Sequence, residues 1–323
     1  MLWQKISLPF SLRRMFSGMA SLNPSSISND FHQKAVRVAV LGADTLTGEM
    51  VAYLLKQNPI VSQIYLYGDS GVFGISADLR HFDTRCEVKG YSGRSGLGKS
   101  LRRADIVILV GSDKCSINAD PETRLRSELD TLVTYTNACA KYAPKSLIAV
   151  CTRINSLIGA FQELDPKCVH VPIIGGPDTD NVVPLLSRAL PASVLPCDVE
   201  EVYKKIKNWK ESTSTKCEPK AKVTDCRLSE AYSINQLVTT MALGLCRDDY
   251  AIATAFVRQN IIPTCKYLVT TVQFGPNGVI HNFGIPRLTK FELAKFEKAT
   301  NQLKSLEEMA LRVLNLTNAA QNE

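Results

Sequence analysis

No stretch of this 323-residue sequence comes near the roughly 20 uninterrupted apolar residues that a membrane-spanning helix needs; the most apolar runs, such as Ile106 to Val110, have the length of a strand. No Cys-x-x-Cys pair occurs and no histidine stands at zinc-ligand spacing, so the ten cysteines offer neither a zinc ribbon nor a dithiol motif. Scattered from Cys86, Cys115, Cys139 and Cys151 through Cys168, Cys197, Cys217 and Cys226 to Cys246 and Cys265, they read as free thiols of a reducing compartment. Histidine is scarce, with four in all, which limits the imidazoles available as a general base to His32, His81, His170 and His281. Compositional bias is absent too. With 45% hydrophobic and 21% charged residues, collagen-like and disordered classes are excluded, and the length suits one large fold or two fused lobes.

Acidic residues are missing from Met1 to Asn29, where Lys5, Arg13 and Arg14 stand among Ser, Leu, Phe and Met. That is the composition of a mitochondrial transit peptide, expected over residues 1–22, with Arg14-Met15-Phe16-Ser17 resembling a cleavage site. A helix through Leu2, Ile6, Phe10 and Leu12 would have one apolar face beside its cationic one; a disordered basic tail would share the composition. Without this segment the net charge falls from +7 to about +4. No basic stripe interleaved with aromatics remains, so neither nucleic acid nor membrane is an expected partner.

What is present is a regular alternation. A β-branched run, Val36 to Leu41, ends at Gly42, and a helical pattern follows from Gly48 through Met50, Val51, Leu54 and Leu55. A second strand is expected at Gln63 to Tyr67 and a third at Asp105 to Val110 after a Gly/Ser-rich loop. A helix at Leu125 to Lys141 and a strand at Ser146 to Cys151 complete a Rossmann-like, doubly wound parallel sheet over residues 35–155. An α+β lobe over residues 156–317 is expected to follow. It has a strand at Val169 to Ile174 ending in Gly175-Gly176-Pro177, a Lys-rich surface stretch from Lys204 to Lys222, and a helix at Leu228 to Leu245. A hairpin is expected of Lys266 to Phe274 and Val279 to Ile285 around Asn277-Gly278. The last helix opens on Thr289-Lys290-Phe291-Glu292, a capping box, with Phe296, Ala299, Leu303, Leu306, Ala310 and Val313 on one face.

Several segments, in order, carry a family likeness: Val38-Ala39-Val40-Leu41-Gly42-Ala43, Ala77-Asp78-Leu79-Arg80-His81, Val171-Pro172-Ile173-Ile174-Gly175-Gly176, and Val182-Val183-Pro184-Leu185. In these the chain resembles the lactate/malate dehydrogenase family, in particular its mitochondrial, NAD-dependent malate dehydrogenases. The resemblance implies a matrix protein with NAD as cofactor. It also implies assembly as a homodimer, or as a heterodimer with a related subunit.

The chemistry implied by the resemblance is incompletely supplied. Hydride transfer from a hydroxy acid needs a base at the hydroxyl, and the family's catalytic His follows Gly-Gly; here that residue is Pro177, which cannot titrate. The family's carboxylate partner and an adjacent Arg lie between an Asn-Ser and a Leu-Asp-Pro motif. In this chain Asn155-Ser156 and Leu164-Asp165-Pro166 stand close together, about 30 residues short of the family, or ~45 Å if helical. At the two loop arginines that would grip a dicarboxylate stand Cys115 and Pro121, leaving Lys114 and Arg124 as nearby cations. Asn155 survives from the substrate motif, whose first Asn is Thr152 here.

For the cofactor, Gly42 and Gly48 keep the outer positions of Gly-x-x-Gly-x-x-Gly beside Ala43, but Thr45 replaces the middle glycine and Asp44 adds a like charge. The carboxylate that ends the second strand is displaced by one, to Asp69 after Gly68. The expectation is a catalytically degenerate paralogue with no catalytic residue and no metal, NAD binding weak or lost, retained for a structural or dimer-partner role. The alternative is an active malate dehydrogenase or a divergent NAD-dependent 2-hydroxy acid dehydrogenase, for which Asp178 and Asp180 are candidate bases.

Overall fold

The computed structural model describes residues 35–69, 71–110, 121–148, 171–177, 181–190, 199–207 and 227–321. Residues from Val36 onward form one compact unit. Its first half is βα in rhythm: β1 Val36–Leu41, α1 Leu46–Lys56, β2 Val61–Tyr67, α2 Gly71–Arg80, β3 Glu87–Tyr91, α3 Gly93–Leu101, β4 Ile106–Leu109, α4 Pro121–Tyr142 and β5 Leu147–Ile148. These strands make a five-stranded parallel sheet in the order β3-β2-β1-β4-β5, the doubly wound arrangement expected from the alternation. β1 is central and, apart from half-buried Arg37, buried on both faces, which the Val, Ala and Leu of Val38 to Leu41 permit. A guanidinium fork seals its open end: Arg37 Nε and Nη2 donate to the two oxygens of Asp105 at 3.0 and 3.2 Å, joining β1 to the start of β4.

The second half holds β6 Ile173–Gly175, β7 Val182–Pro184, a 3₁₀ turn at Leu186–Arg188, α5 Val199–Lys207, α6 Arg227–Leu245, β8 Ile252–Arg258, β9 Tyr267–Gly275, β10 Gly278–Asn282 and α7 Lys290–Gln321. Its antiparallel sheet runs β10-β9-β6-β7, with β8 also on β9. Helix α6 lies against α1 of the first half, where Asn58 Nδ2 donates to Asn235 Oδ1 (3.0 Å) and Thr239 Oγ1 (2.7 Å). The apolar cluster under β1 and β2 accordingly continues into Val238, Met241 and Ala242 of α6 and Val272 and Phe274 of β9. Fully buried side chains of this kind, Leu55, Leu66 and Met241 among them, stabilise by about 1.5–3 kcal/mol each.

The expected hairpin is present, with Gly278 at φ +113° pairing with Gly275. So is the capping box at Thr289 and Glu292. Four expectations need correction. Asp105 to Val110 holds the fourth strand of the sheet, not the third, because β3 at Glu87–Tyr91 precedes it and pairs with β2. The Gly/Ser-rich segment before β4 is helix α3, not a loop: Gly96 lies against Tyr91, and Gly98 lets the Tyr142 ring of α4 approach to where a Cβ would stand 3.2 Å away. The start of the Lys-rich stretch is the end of α5, which buries Val202 and Tyr203. The strand before Gly176 occupies Ile173–Gly175; Val171 and Pro172 precede it outside the strand, and Val169 and His170 lie outside the described residues.

Candidate functional site

The turn from β1 to α1 sits at the carboxyl end of the parallel sheet, where doubly wound folds bind ligands. Gly42 has φ +82°, and a Cβ there would come within 2.7 Å of Val110 O. At Gly48 a Cβ would fall on Gly42 O and lie 2.8 Å from Ala43 Cα, so the close approach of helix to strand itself demands this glycine. Ala43 is fully buried. The Gly42 and Ala43 amides both donate to Tyr67 O, at 2.9 and 3.0 Å, tying the turn to the end of β2.

Thr45 is the N-cap of α1. Its Oγ1 accepts from Gly48 N–H (3.1 Å), its hydroxyl donates to Gly42 O (2.8 Å), and its own amide donates to the same carbonyl (3.2 Å). A pyrophosphate on a helix N-terminus is held by amides of this turn. Here the amides of Gly42, Ala43, Thr45 and Gly48 all donate within the protein. Freeing Gly48 N–H would forfeit an N-cap worth about 1 kcal/mol. None of these four amides is therefore open to a pyrophosphate without breaking a bond within the protein.

Asp44 points the other way. Its Oδ2 accepts from Asp69 N–H (3.1 Å), and a Cβ at Gly68 would fall on its Oδ1 and within 2.6 Å of its Cγ. The Asp44 carboxylate thus fills the space in which a side chain at position 68 would begin. Asp44 and Asp69 are both exposed. Behind them Tyr67 meets Tyr135 of α4 edge-on, ring centroids 5.9 Å apart. Burial pushes the Tyr135 hydroxyl up to about 12, and the nearby Tyr67, Asp44 and Asp69 push the same way. Burial, then Asp69 and Asp44, raises Tyr67 as well. Sequence reasoning treated Asp44 only as a charge opposing phosphate. The readable signal was the pairing of an extra Asp in the glycine turn with a glycine where β2 ends.

The other half of the expected site is the turn between β6 and β7. Gly175 has φ +99°; a Cβ on it would fall on Asn181 O, and one on Gly176 would fall on the Asn181 side-chain amide. Gly176 N–H donates to Asn181 O (2.8 Å), and Asn181 is buried. The Gly-Gly pair is therefore required by the turn itself. Pro177 follows it, half-buried and without a proton to exchange. Among the described residues no group of His, Cys, Asp and Glu could hold a metal. His81 follows α2 and His281 stacks edge-on against Phe283 at 4.7 Å; both are exposed. Asn155, Lys114, Thr152, Cys115, Asp178 and Asp180 lie outside the described residues; Arg124 falls on α4, with its side chain outside them. The structure brings together Gly42, Ala43, Thr45, Gly48 and Asp69 at one corner of the sheet.

Residues 36–154 match a family model for the NAD-binding domain of lactate/malate dehydrogenase. Mitochondrial malate dehydrogenase from Felis catus is 27% identical over 330 residues, covering 91% of this chain and 93% of that protein. The Homo sapiens counterpart is 26% identical with the same coverage. Among solved structures, malate dehydrogenase from Picrophilus torridus superposes with a TM-score of 0.72 at 16% identity, covering 89% of this chain and 99% of that one. Lactate dehydrogenase from Eimeria maxima, with NADH and oxamate, gives 0.70 at 14%, covering 90% and 97%. In sequence and in fold, the chain resembles the lactate/malate dehydrogenase family.

Proposed function

We propose that this protein is a malate-dehydrogenase-like subunit of the mitochondrial matrix that no longer transfers hydride between malate and NAD and serves as a folded partner in a homodimer or a heterodimer with a related subunit. The observation that carries this reading is Pro177, at the end of a Gly-Gly turn whose glycines are demanded by Asn181. The turn retains its shape for packing while the position that should abstract the alcohol proton has no base. Losing a positioned base typically costs ~10²- to 10⁴-fold, and the base is not the only loss, since Thr45 occupies the phosphate-binding amide of α1. NAD binding is accordingly weak.

Exposed apolar side chains on one face support the dimer: Met50 and Tyr53 on α1, with Leu228 and Tyr232 on the adjoining α6, are exposed at 37, 41, 56 and 49%. The mitochondrial relatives and the acid-free segment before Asp30 support the location. The deciding experiment incubates the purified mature chain with malate and NAD and follows NADH absorbance. No turnover above background is expected, and kcat/KM near the ~10⁴–10⁸ M⁻¹s⁻¹ usual for enzymes would overturn the proposal.

A further inference from the structure

We propose that Asn277, in the turn between β9 and β10, is a site of spontaneous deamidation in the folded protein, and that the isoaspartate formed there loosens the hairpin where it meets β5. The Gly278 peptide nitrogen loses its proton to hydroxide and attacks the Asn277 Cγ. A C–N bond forms, the side-chain nitrogen leaves as ammonia, and the two residues close into a five-membered succinimide. Water then opens the ring at either carbonyl, giving aspartate or, with the main chain rerouted through Cβ, isoaspartate. The sum is amide plus water to carboxylate plus ammonium, with nothing oxidised or reduced.

Attack is easiest where the following residue has no side chain, and among the asparagines of the sequence only Asn277 precedes a glycine. The turn itself demands that glycine, because Gly278 has φ +113°. Asn277 is exposed, as is Pro276 before it, and no hydrogen bond among the described residues holds its side-chain amide. Other asparagines are held. Asn58 Nδ2 donates to Asn235 and Thr239, Asn282 Oδ1 accepts from Gly284 N–H, and Asn181 is buried. Pairing of Gly278 with Gly275 opposes the backbone rotation that attack requires. That pair is the closing rung of the ladder, beside a register shift between Val279 and His281, so it opens locally without unfolding of the sheet.

Isoaspartate adds a methylene to the main chain within a two-residue loop, and the register of Gly275 with Gly278 depends on the length of that loop. A Cβ on Gly278 would lie 3.4 Å from Leu147 Cδ2 of β5, so a shifted turn disturbs a contact between the antiparallel and parallel sheets.

The test incubates the full-length mature protein near physiological temperature at pH 7 and at pH 9, maps its peptides by mass spectrometry over time, and measures isoaspartate by enzymatic methylation of its carboxylate. The Asn277 peptide is expected to convert at least tenfold faster than those of Asn235 and Asn282, and faster at pH 9 than at pH 7, with isoaspartate among the products. Aged wild type should lose about 2 °C in thermal midpoint, as for one ladder hydrogen bond in a chain of this size. Asn277→Gln, whose ring closure would be six-membered, should age without that loss. Asn277→Asp, which carries the charge without the added methylene, should keep the midpoint of fresh protein. Conversion confined to urea-unfolded protein, or no faster at Asn277 than at Asn282, overturns the proposal. So does a midpoint that ageing leaves unchanged, or lowers equally in Asn277→Gln.

Discussion

Glu292 offers the sharpest test of the energetics, because its carboxylate is 2% exposed and carries a long-range joint. Oε1 accepts from Ser187 N–H at 3.1 Å; Oε2 accepts from the Ser187 hydroxyl, Thr289 N–H and the Thr289 hydroxyl, each at 2.9 Å. The Thr289 pair is the capping box of α7, and the Ser187 pair clamps that helix end onto the 3₁₀ turn after β7. Hydrogen bonds to a charged group contribute about 1.5–3 kcal/mol each and are not additive within one carboxylate. Glu292→Ala removes the acceptor and leaves the Ser187 amide to find another partner, so a loss of about 3–4 kcal/mol is expected. For a chain of this size that corresponds to a fall in Tm of about 4–6 °C, read by circular dichroism. A shift under about 2 °C would refute the claim that this carboxylate joins the two elements.

The pH dependence follows with a definite sign. Burial pushes the Glu292 carboxyl up, but the Thr289 and Ser187 donors together outweigh it and hold the group below the usual value of 4.5. A lowered native value means that the stabilisation is fully present above the unfolded value and is lost as pH falls through the native one. In urea titrations the stability gap between wild type and Glu292→Gln should therefore be constant near neutrality and narrow only below about pH 4.5. A gap that grows on acidification would contradict the hydrogen-bond assignment.

Gly48→Ala should destabilise by about 3 kcal/mol, because its methyl meets the Gly42 carbonyl and no flexible side chain can yield, whereas Gly74→Ala on α2, with open space around it, should stabilise by up to about 1 kcal/mol; urea midpoints compare them. Cys86, whose thiol burial pushes up to about 11, and buried Cys139 should resist an aromatic disulfide reagent at pH 8 in the folded protein and react once it is unfolded, as mapped by mass spectrometry. Pro177→His alone should give no malate-dependent NADH production, since an imidazole without an orienting carboxylate or an anchored substrate lacks the rest of the unit. Clear activity from that single change would show that the pocket still holds its substrate.

Elements with a strong local signal were legible in the sequence. Val36 to Leu41 could only be a buried strand, Thr289 and Glu292 announced a helix start, and Asn277-Gly278 announced a hairpin. Helix α3 was illegible for a physical reason. Three glycines and two serines in nine residues oppose helix formation locally, and the helix exists because Gly96 and Gly98 admit Tyr91 and Tyr142 to its surface. Strand β8 was missed likewise: Ile-Ala-Thr-Ala-Phe-Val-Arg shows no regular polar alternation, and it is fixed by its seven-residue register along β9. The position of the Asp44 carboxylate had only its pairing with Gly68 as a signal, because it depends on a hydrogen bond between residues 25 apart across two loops.

The same separation explains why a likeness carried by glycines is independent of the chemistry at the site. Gly42 is needed by Val110 O, Gly48 by Gly42 O, and Gly175 and Gly176 by Asn181, whether or not a cofactor or substrate ever enters. Each of these positions would be held by packing alone after catalysis was lost. Side chains that touch only a ligand have no such second support. On the reading proposed above, Pro177 stands where a base is wanted and Thr45 where a phosphate must approach, and the Thr45 cap stabilises the local backbone. Motifs made of glycines and apolar residues therefore trace the fold. Activity has to be argued from the side chains between them, which at this corner are the Asp44 and Asp69 carboxylates and the Thr45 hydroxyl.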